Sequence, residues 1–261
     1  MQRVDEMSGL RGSAIVTGGA SGLGRACVER LQAEGMAVLI ADINDETGDE
    51  LAAALGDRVT FRHTDVTQSD AVQQAVREAA SLDSDGLRVS VACAGIGPAE
   101  RLLGKRGPHD AQLFTTVISV NLVGTFLLLR AAAEAMAGND PLDGERGVHI
   151  NTASAAAYEG QIGQIAYAAS KGGVVALTLP AARDLAQHGI RVCAIAPGMF
   201  ATPLMDVLSD EARESLGKAT PFPQRLGRPD EFADLMMAIV RNPMINGETV
   251  RIDGAIRLAP R

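Results

Sequence analysis

Seven short apolar segments, near residues 13–17, 37–42, 59–64, 88–94, 147–153, 190–196 and 248–252, recur along the chain and alternate with stretches of helical periodicity. Runs such as Ala14-Ile15-Val16 and Ala37-Val38-Leu39-Ile40-Ala41 stay apolar on successive positions, as strands covered on both faces do. From Arg25 to Ala33 apolar residues return every three or four positions, the pattern of a helix lying on a sheet. The alternation predicts a single α/β domain over residues 1–261, built on a doubly wound parallel sheet of about seven strands. Ligands of such sheets sit outside the C-terminal ends of the strands. Those ends carry Gly18 onward, Asp42, Asp65, Gly95, Ser154 and Pro197. Pro180 is expected to kink the helix that follows residue 171, because it cannot donate to the carbonyl four residues back.

Between the first strand and the first helix stands Thr17-Gly18-Gly19-Ala20-Ser21-Gly22-Leu23-Gly24. Unpaired N–H groups and the positive helix end at such a turn suit a pyrophosphate. Gly18 permits the tight turn, Gly22 lets backbone approach phosphate, and Gly24 lets the helix pack close to the sheet. The second strand ends in Asp42, eighteen residues after Gly24, where a carboxylate can accept ribose hydroxyls and repel a 2′-phosphate. Ile43, Asn44 and Asp45 bring no Arg or Lys to reverse that choice, so the cofactor read from the residues is NAD rather than NADP. The competing role for Asp42 is to cap a helix beginning near Asn44.

Two tyrosines and three lysines occur in 261 residues, and one pair reads Tyr167-Ala168-Ala169-Ser170-Lys171. Positions i and i+4 share a helix face, so phenol and ammonium point into one space. A neighbouring cation favours phenolate and is expected to lower the phenol pKa, fitting the pair to exchange a proton with an alcohol or ketone. The other tyrosine, Tyr158, has Ile at position 162 and no such partner.

Composition narrows the remaining classes. A formal net charge of −8 argues against nucleic acid as a main partner. The segment Met1 to Glu6 carries acids and no apolar core of a secretory signal, and no continuous apolar run reaches bilayer length. Cys27, Cys93 and Cys193 show no Cys-x-x-Cys spacing and the four histidines are scattered, so core fillers in a reducing compartment are expected, with no metal site. The expected location is cytoplasmic, or the mitochondrial matrix in a eukaryotic source. One local exception to the acidic balance, Arg101 to His109, carries Arg101, Lys105 and Arg106 on a loop that could reach a phosphate.

With these residues in view, the chain resembles the short-chain dehydrogenase/reductase family from about Leu10 to Arg257, which implies a Rossmann-type fold. The family's glycine motif falls on Thr17 to Gly24, its catalytic Asn on Asn121, its Ser on Ser154, its Tyr and Lys on Tyr167 and Lys171, and its Pro-Gly on Pro197-Gly198. The usual Asn-Asn-Ala-Gly reads Ala92-Cys93-Ala94-Gly95, which still permits close backbone approach to the cofactor. The resemblance implies that Ser154 bonds the substrate oxygen, Lys171 holds the nicotinamide ribose and Asn121 steadies a water. It also implies that Thr202 bonds the carboxamide, Asp65-Val66 touches the adenine side and Gln161 contacts substrate. Residues 199–220, with Met199, Phe200, Leu204, Met205, Val207 and Leu208, are expected as a substrate lid. Local roles compete at four of these positions: Ser154 as a strand-end cap, Asn121 as a helix pin, Asp65 as a helix cap and Gln161 as an exposed loop residue. Longer blocks, such as Glu159 to Gln164 and Pro221 to Gly227, resemble a branch of NAD-dependent homotetramers that oxidise 3-hydroxyacyl-CoA thioesters and other secondary alcohols. Steroid dehydrogenases, 3-oxoacyl-carrier-protein reductases and a non-catalytic dinucleotide-binding protein stay open as alternatives.

Overall fold

The computed structural model describes residues 10–105, 107–205 and 210–260. The N-terminal segment read as lacking a signal, Arg106 of the basic loop, and Val207 and Leu208 of the expected lid lie outside them. Seven parallel strands form the sheet: β1 (Ser13–Thr17), β2 (Ala37–Asp42), β3 (Val59–His63), β4 (Leu87–Ala92), β7 (Gly147–Thr152), β8 (Ile190–Pro197) and β9 (Thr249–Ile252). Their order is β3-β2-β1-β4-β7-β8-β9. Every residue of β1, β4, β7 and β8 is buried, as the uninterrupted apolar runs require. The Rossmann-type α/β expectation therefore holds. One element had no precedent in the pattern, a two-stranded antiparallel hairpin of β5 (Leu103–Gly104) and β6 (Gly107–Pro108).

One face of the sheet is covered by α1 (Gly22–Ala33) and α8 (Pro229–Arg241), with Phe232, Leu31 and Met236 fully buried among Val16, Val38 and Ile150. The other face takes α3 (Ser69–Ser81) and α5 (Gly124–Ala137), which bury Val76, Leu128 and Met136 against Ile15 and Leu39. Each such side chain contributes about 1.5–3 kcal/mol relative to exposure. Helix α4 (Ala111–Ile118) runs into α5 through a π-helical turn, Ser119–Val123. Helix α6 (Ile165–Leu185) is continuous with Pro180 inside it. The 27-residue segment Ala111–Ala137 and the 24-residue segment Ile165–His188 are, by length and composition alone, long and apolar enough to cross a membrane, and about a third of the most apolar stretch of each is buried within the chain. The expectation of no such length thus needs correction: it counted unbroken apolar runs, whereas these helices reach it with polar residues interspersed.

Behind β7 a chain of buried polar groups crosses the layer. The His149 Nε2–H donates to Asn151 Oδ1 (2.7 Å), Ser90 Oγ donates to His149 Nδ1 (2.9 Å) and Asn151 Nδ2 donates to Thr178 Oγ1 (3.3 Å). Burial pushes the imidazole down to about 4. A histidine depressed on folding contributes stability that is present above the unfolded value of ~6.5 and is lost as pH falls toward 4. Urea unfolding should therefore show stability falling by about 3 kcal/mol over that window. In His149→Gln the dependence between pH 6.5 and 4.5 should flatten; an unchanged slope there would assign it to other groups.

Candidate active site

The glycine-rich turn leaves the C-terminal end of β1. Gly18 has φ +65° and packs so tightly that a Cβ would lie 2.6 Å from the Ala94 nitrogen. A Cβ on Gly24 would overlap the Gly18 carbonyl, so the start of α1 can seat on the turn only as glycine. The N–H groups of Gly22, Leu23 and Gly24 open α1 and have no intrahelical acceptor, and Ser21 makes no side-chain cap. Together they leave a cradle of donors at the positive end of a helix, suited to an anionic pyrophosphate.

Asp42 ends β2 beside this cradle. Its carboxylate accepts the Ala20 N–H (3.1 Å) and the Asn44 N–H (3.1 Å). Helix α2 (Asp45–Leu55) is capped by Asn44 Oδ1, which accepts the Thr47 N–H at 3.2 Å, so Asp42 is not its cap. No Arg or Lys pairs with Asp42 among the described residues. Asp65 behaves differently: its Oδ1 accepts both the Thr67 N–H (2.9 Å) and the Thr67 hydroxyl (2.8 Å), the local turn role that competed with adenine contact. The Val66 side chain is buried against the Gly124 backbone.

The second wall follows β4. Cys93 N–H donates to Thr17 O (3.0 Å), which holds Cys93-Ala94 against Gly18. A Cβ on Gly95 would stand 3.3 Å from Asn121 Oδ1 and 3.7 Å from Lys171 Nζ, so a larger residue would wedge between them. Across the cradle, a Cβ on Gly22 would lie 3.3 Å from Pro203 Cδ and 3.4 Å from Thr202 Cβ. The segment after Pro197 and Gly198 therefore arches over the glycine turn.

Ser154, Tyr167 and Lys171 meet beyond the end of β7. Lys171 is buried, donates to Thr152 O (2.7 Å) and lies 5.8 Å from the centroid of the Tyr167 ring. Burial lowers its ammonium to about 8. The expectation that this lysine lowers the phenol pKa needs correction for the protein without ligands. Burial raises Tyr167, and the opposing effect comes from hydrogen bonding with Ser154. Position on a shared helix face brings the groups together but leaves them in a dry environment that penalises both charges. Ser154 also accepts the Ala156 N–H (3.1 Å), the capping role that competed with catalysis.

Asn121 sits in the π-turn, fully buried. Its Oδ1 accepts the Ile96 N–H (2.8 Å), while Nδ2 donates to Ile96 O (2.9 Å) and Ser170 Oγ (3.0 Å). The amide therefore pins the loop after β4 to the helices, as its local alternative foresaw. Gln161 donates from Nε2 to Ala259 O (2.9 Å) and lines an open cavity of ≈ 470 Å³ with Arg101, Leu102, Leu103, Ile162 and Ile165. Sequence reasoning missed Thr152, Ile96 and this tail contact, because backbone partners carry no residue signature.

Residues 13–213 match the short chain dehydrogenase family. The chain is a short chain dehydrogenase. It is 50% identical over 251 residues to 3-hydroxyacyl-CoA dehydrogenase type-2 of Drosophila melanogaster, covering 95% of this chain and 98% of the relative. The human protein of the same name is 48% identical over 250 residues, 95% of each chain. A crystal structure of 3-hydroxyacyl-CoA dehydrogenase type-2 from Mycobacterium avium superposes with a TM-score of 0.91 at 46% identity, covering 99% of this chain and 100% of that one. As a short chain dehydrogenase the protein is an oxidoreductase that uses a nicotinamide dinucleotide, and the donor cradle at Gly18 to Gly24 fits that group.

Proposed function

We propose that the enzyme interconverts 3-hydroxyacyl-CoA and 3-oxoacyl-CoA with NAD(H), Tyr167 serving as the proton-transfer group. The observation that carries this reading is the convergence of Ser154, Tyr167 and Lys171 beside the glycine cradle. Asp42 would hold the adenosine ribose, Thr202 the carboxamide, and the Asp65-Val66 backbone the adenine side, since both of those side chains are otherwise engaged. NAD⁺, when bound there, would supply the acceptor for the hydride leaving the alcohol carbon. Ser154 donates to the substrate oxygen, Tyr167 takes the hydroxyl proton, and Lys171 holds the ribose. Asn121 Oδ1 retains a second lone pair that can steady a water. The cavity with Gln161, Leu102, Leu103, Ile162 and Ile165 offers an apolar surface to an acyl chain, with Arg101 at hand for a phosphate. Of the lid expected over residues 199–220, Thr202 and Pro203 pack over Gly22 at the mouth of the cradle. The test is the rate of NAD⁺ reduction with a 3-hydroxyacyl-CoA against a steroid alcohol; turnover of the steroid alone would overturn the substrate assignment.

Self-association into a homotetramer accounts for the two long apolar helices. Val123 (42% exposed), closing the π-turn, and Phe126 (50%) on α5 form one stripe, and Ile165, Ala169, Ala176 and Leu179 form another on α6. Small residues within the second stripe permit close helix approach. Sedimentation at micromolar concentration should give a tetramer, and Phe126→Glu should shift it to smaller species. A stable wild-type monomer would reject the assembly.

A further inference from the structure

Serine is a neutral to poor residue inside a helix, because its hydroxyl competes for backbone groups. Ser170 lies within α6, fully buried, and its hydroxyl is engaged in two directions. It donates to the Tyr167 carbonyl at 2.7 Å and accepts from Asn121 Nδ2 at 3.0 Å. The Asn121 amide in turn grips Ile96 through both of its polar atoms. One chain of hydrogen bonds therefore runs from the loop after β4, through the π-turn, to the peptide that carries the phenol.

We propose that Ser170 is a positioning residue for proton transfer: its hydroxyl ties the Asn121 turn to the Tyr167 backbone and fixes the phenol relative to the Gly95-Ile96 wall. The inference rests on Tyr167 being the proton-transfer group. Lys171 is the next residue on the helix, so displacement of this turn moves both members of the pair. Misplacement of a reacting group by about 1 Å can cost ~10²-fold in rate, so a partial loosening should cost roughly tenfold.

The same helix supplies an internal control. Thr178 Oγ1 accepts from Asn151 Nδ2 (3.3 Å) and donates to the Val174 carbonyl (2.8 Å), a parallel arrangement about two turns further on, its carbonyl four rather than three residues back. Its asparagine reaches His149 rather than the site. Ser170→Ala and Thr178→Val each remove a buried hydroxyl from between an amide and a helix carbonyl. A merely structural role would make them alike.

The experiment compares Ser170→Ala, Thr178→Val, Asn121→Ala, the Ser170→Ala/Asn121→Ala pair and Tyr167→Phe, with NAD⁺ and a turned-over secondary alcohol. Ser170→Ala is expected to lower kcat roughly tenfold, with the KM of alcohol and the Kd of NAD⁺ within about twofold. Thr178→Val should keep kcat while losing comparable thermal stability. The pair should be no slower than the slower of its two single variants, since both cut one chain. Wild-type kcat in Ser170→Ala, equal kcat loss in Thr178→Val, or multiplied losses in the pair would each overturn the proposal. If Ser170→Ala does not fold, Ser170→Cys, which keeps a weak donor and acceptor, is judged by the same split between kcat and KM. Full activity in Tyr167→Phe would instead overturn the functional reading on which the inference stands.

Discussion

Tyr167→Phe should lower kcat by ~10²-fold or more while leaving NAD binding intact, because it removes one oxygen and the proton that oxygen carries. The ring itself stays half-buried above Lys171, so packing and the ribose contact proposed for the lysine survive. Tyr158→Phe is the control. Tyr158 is half-exposed with the Arg251 guanidinium 5.2 Å from its ring centroid, among Glu159 and Asp253 rather than at the cradle. Activity lost in the second variant and kept in the first would mean that the proton moves elsewhere. The same burial has a pH signature. Desolvation raises the phenol, so the basic form is scarce in the free enzyme, and kcat/KM for alcohol oxidation should climb from about pH 6 to 9. A flat profile would remove the phenol from the limiting step.

Asp42→Ala should erase a preference for NAD over NADP of roughly 10²-fold in kcat/KM, a few kcal/mol of like-charge repulsion. The carboxylate stands at the end of β2, already oriented by the Ala20 and Asn44 amides. A 2′-phosphate placed there would meet a fixed negative charge that no Arg or Lys among the described residues pairs with. Loss of the carboxylate should mainly improve kcat/KM with NADP and weaken NAD binding through the missing ribose contact. Equal use of both cofactors by the native enzyme would sink the assignment.

Much of the site was legible because its chemistry is local in the chain. Gly18 to Gly24 is one turn, and Tyr167 and Lys171 are one helical face, so spacing alone could place them. What escaped the sequence depended on distant partners. The π-turn at Ser119–Val123 has no residue signature. The β5–β6 hairpin is too short for periodicity, and its exposed Leu103 resembles no strand. The sign of the Tyr167 shift was misread because adjacency on a helix says nothing about how much water remains. Asp65 and Asn121 were assigned chemistry by resemblance, yet their side chains are first of all engaged with Thr67 and with Ile96 and Ser170.

The strand order has a consequence for synthesis on the ribosome. β4 lies between β1 and β7, but its second partner ends at Thr152, sixty residues after Ala92. At typical translation speeds that gap lasts roughly 3–12 s. Throughout it, the nascent four-stranded sheet presents the bare edge Leu87–Ala92, apolar but for Arg88 and Ser90, to solvent or to a chaperone. The interval before β7 arrives is where this polypeptide is most exposed to mispairing with its neighbours on the same message.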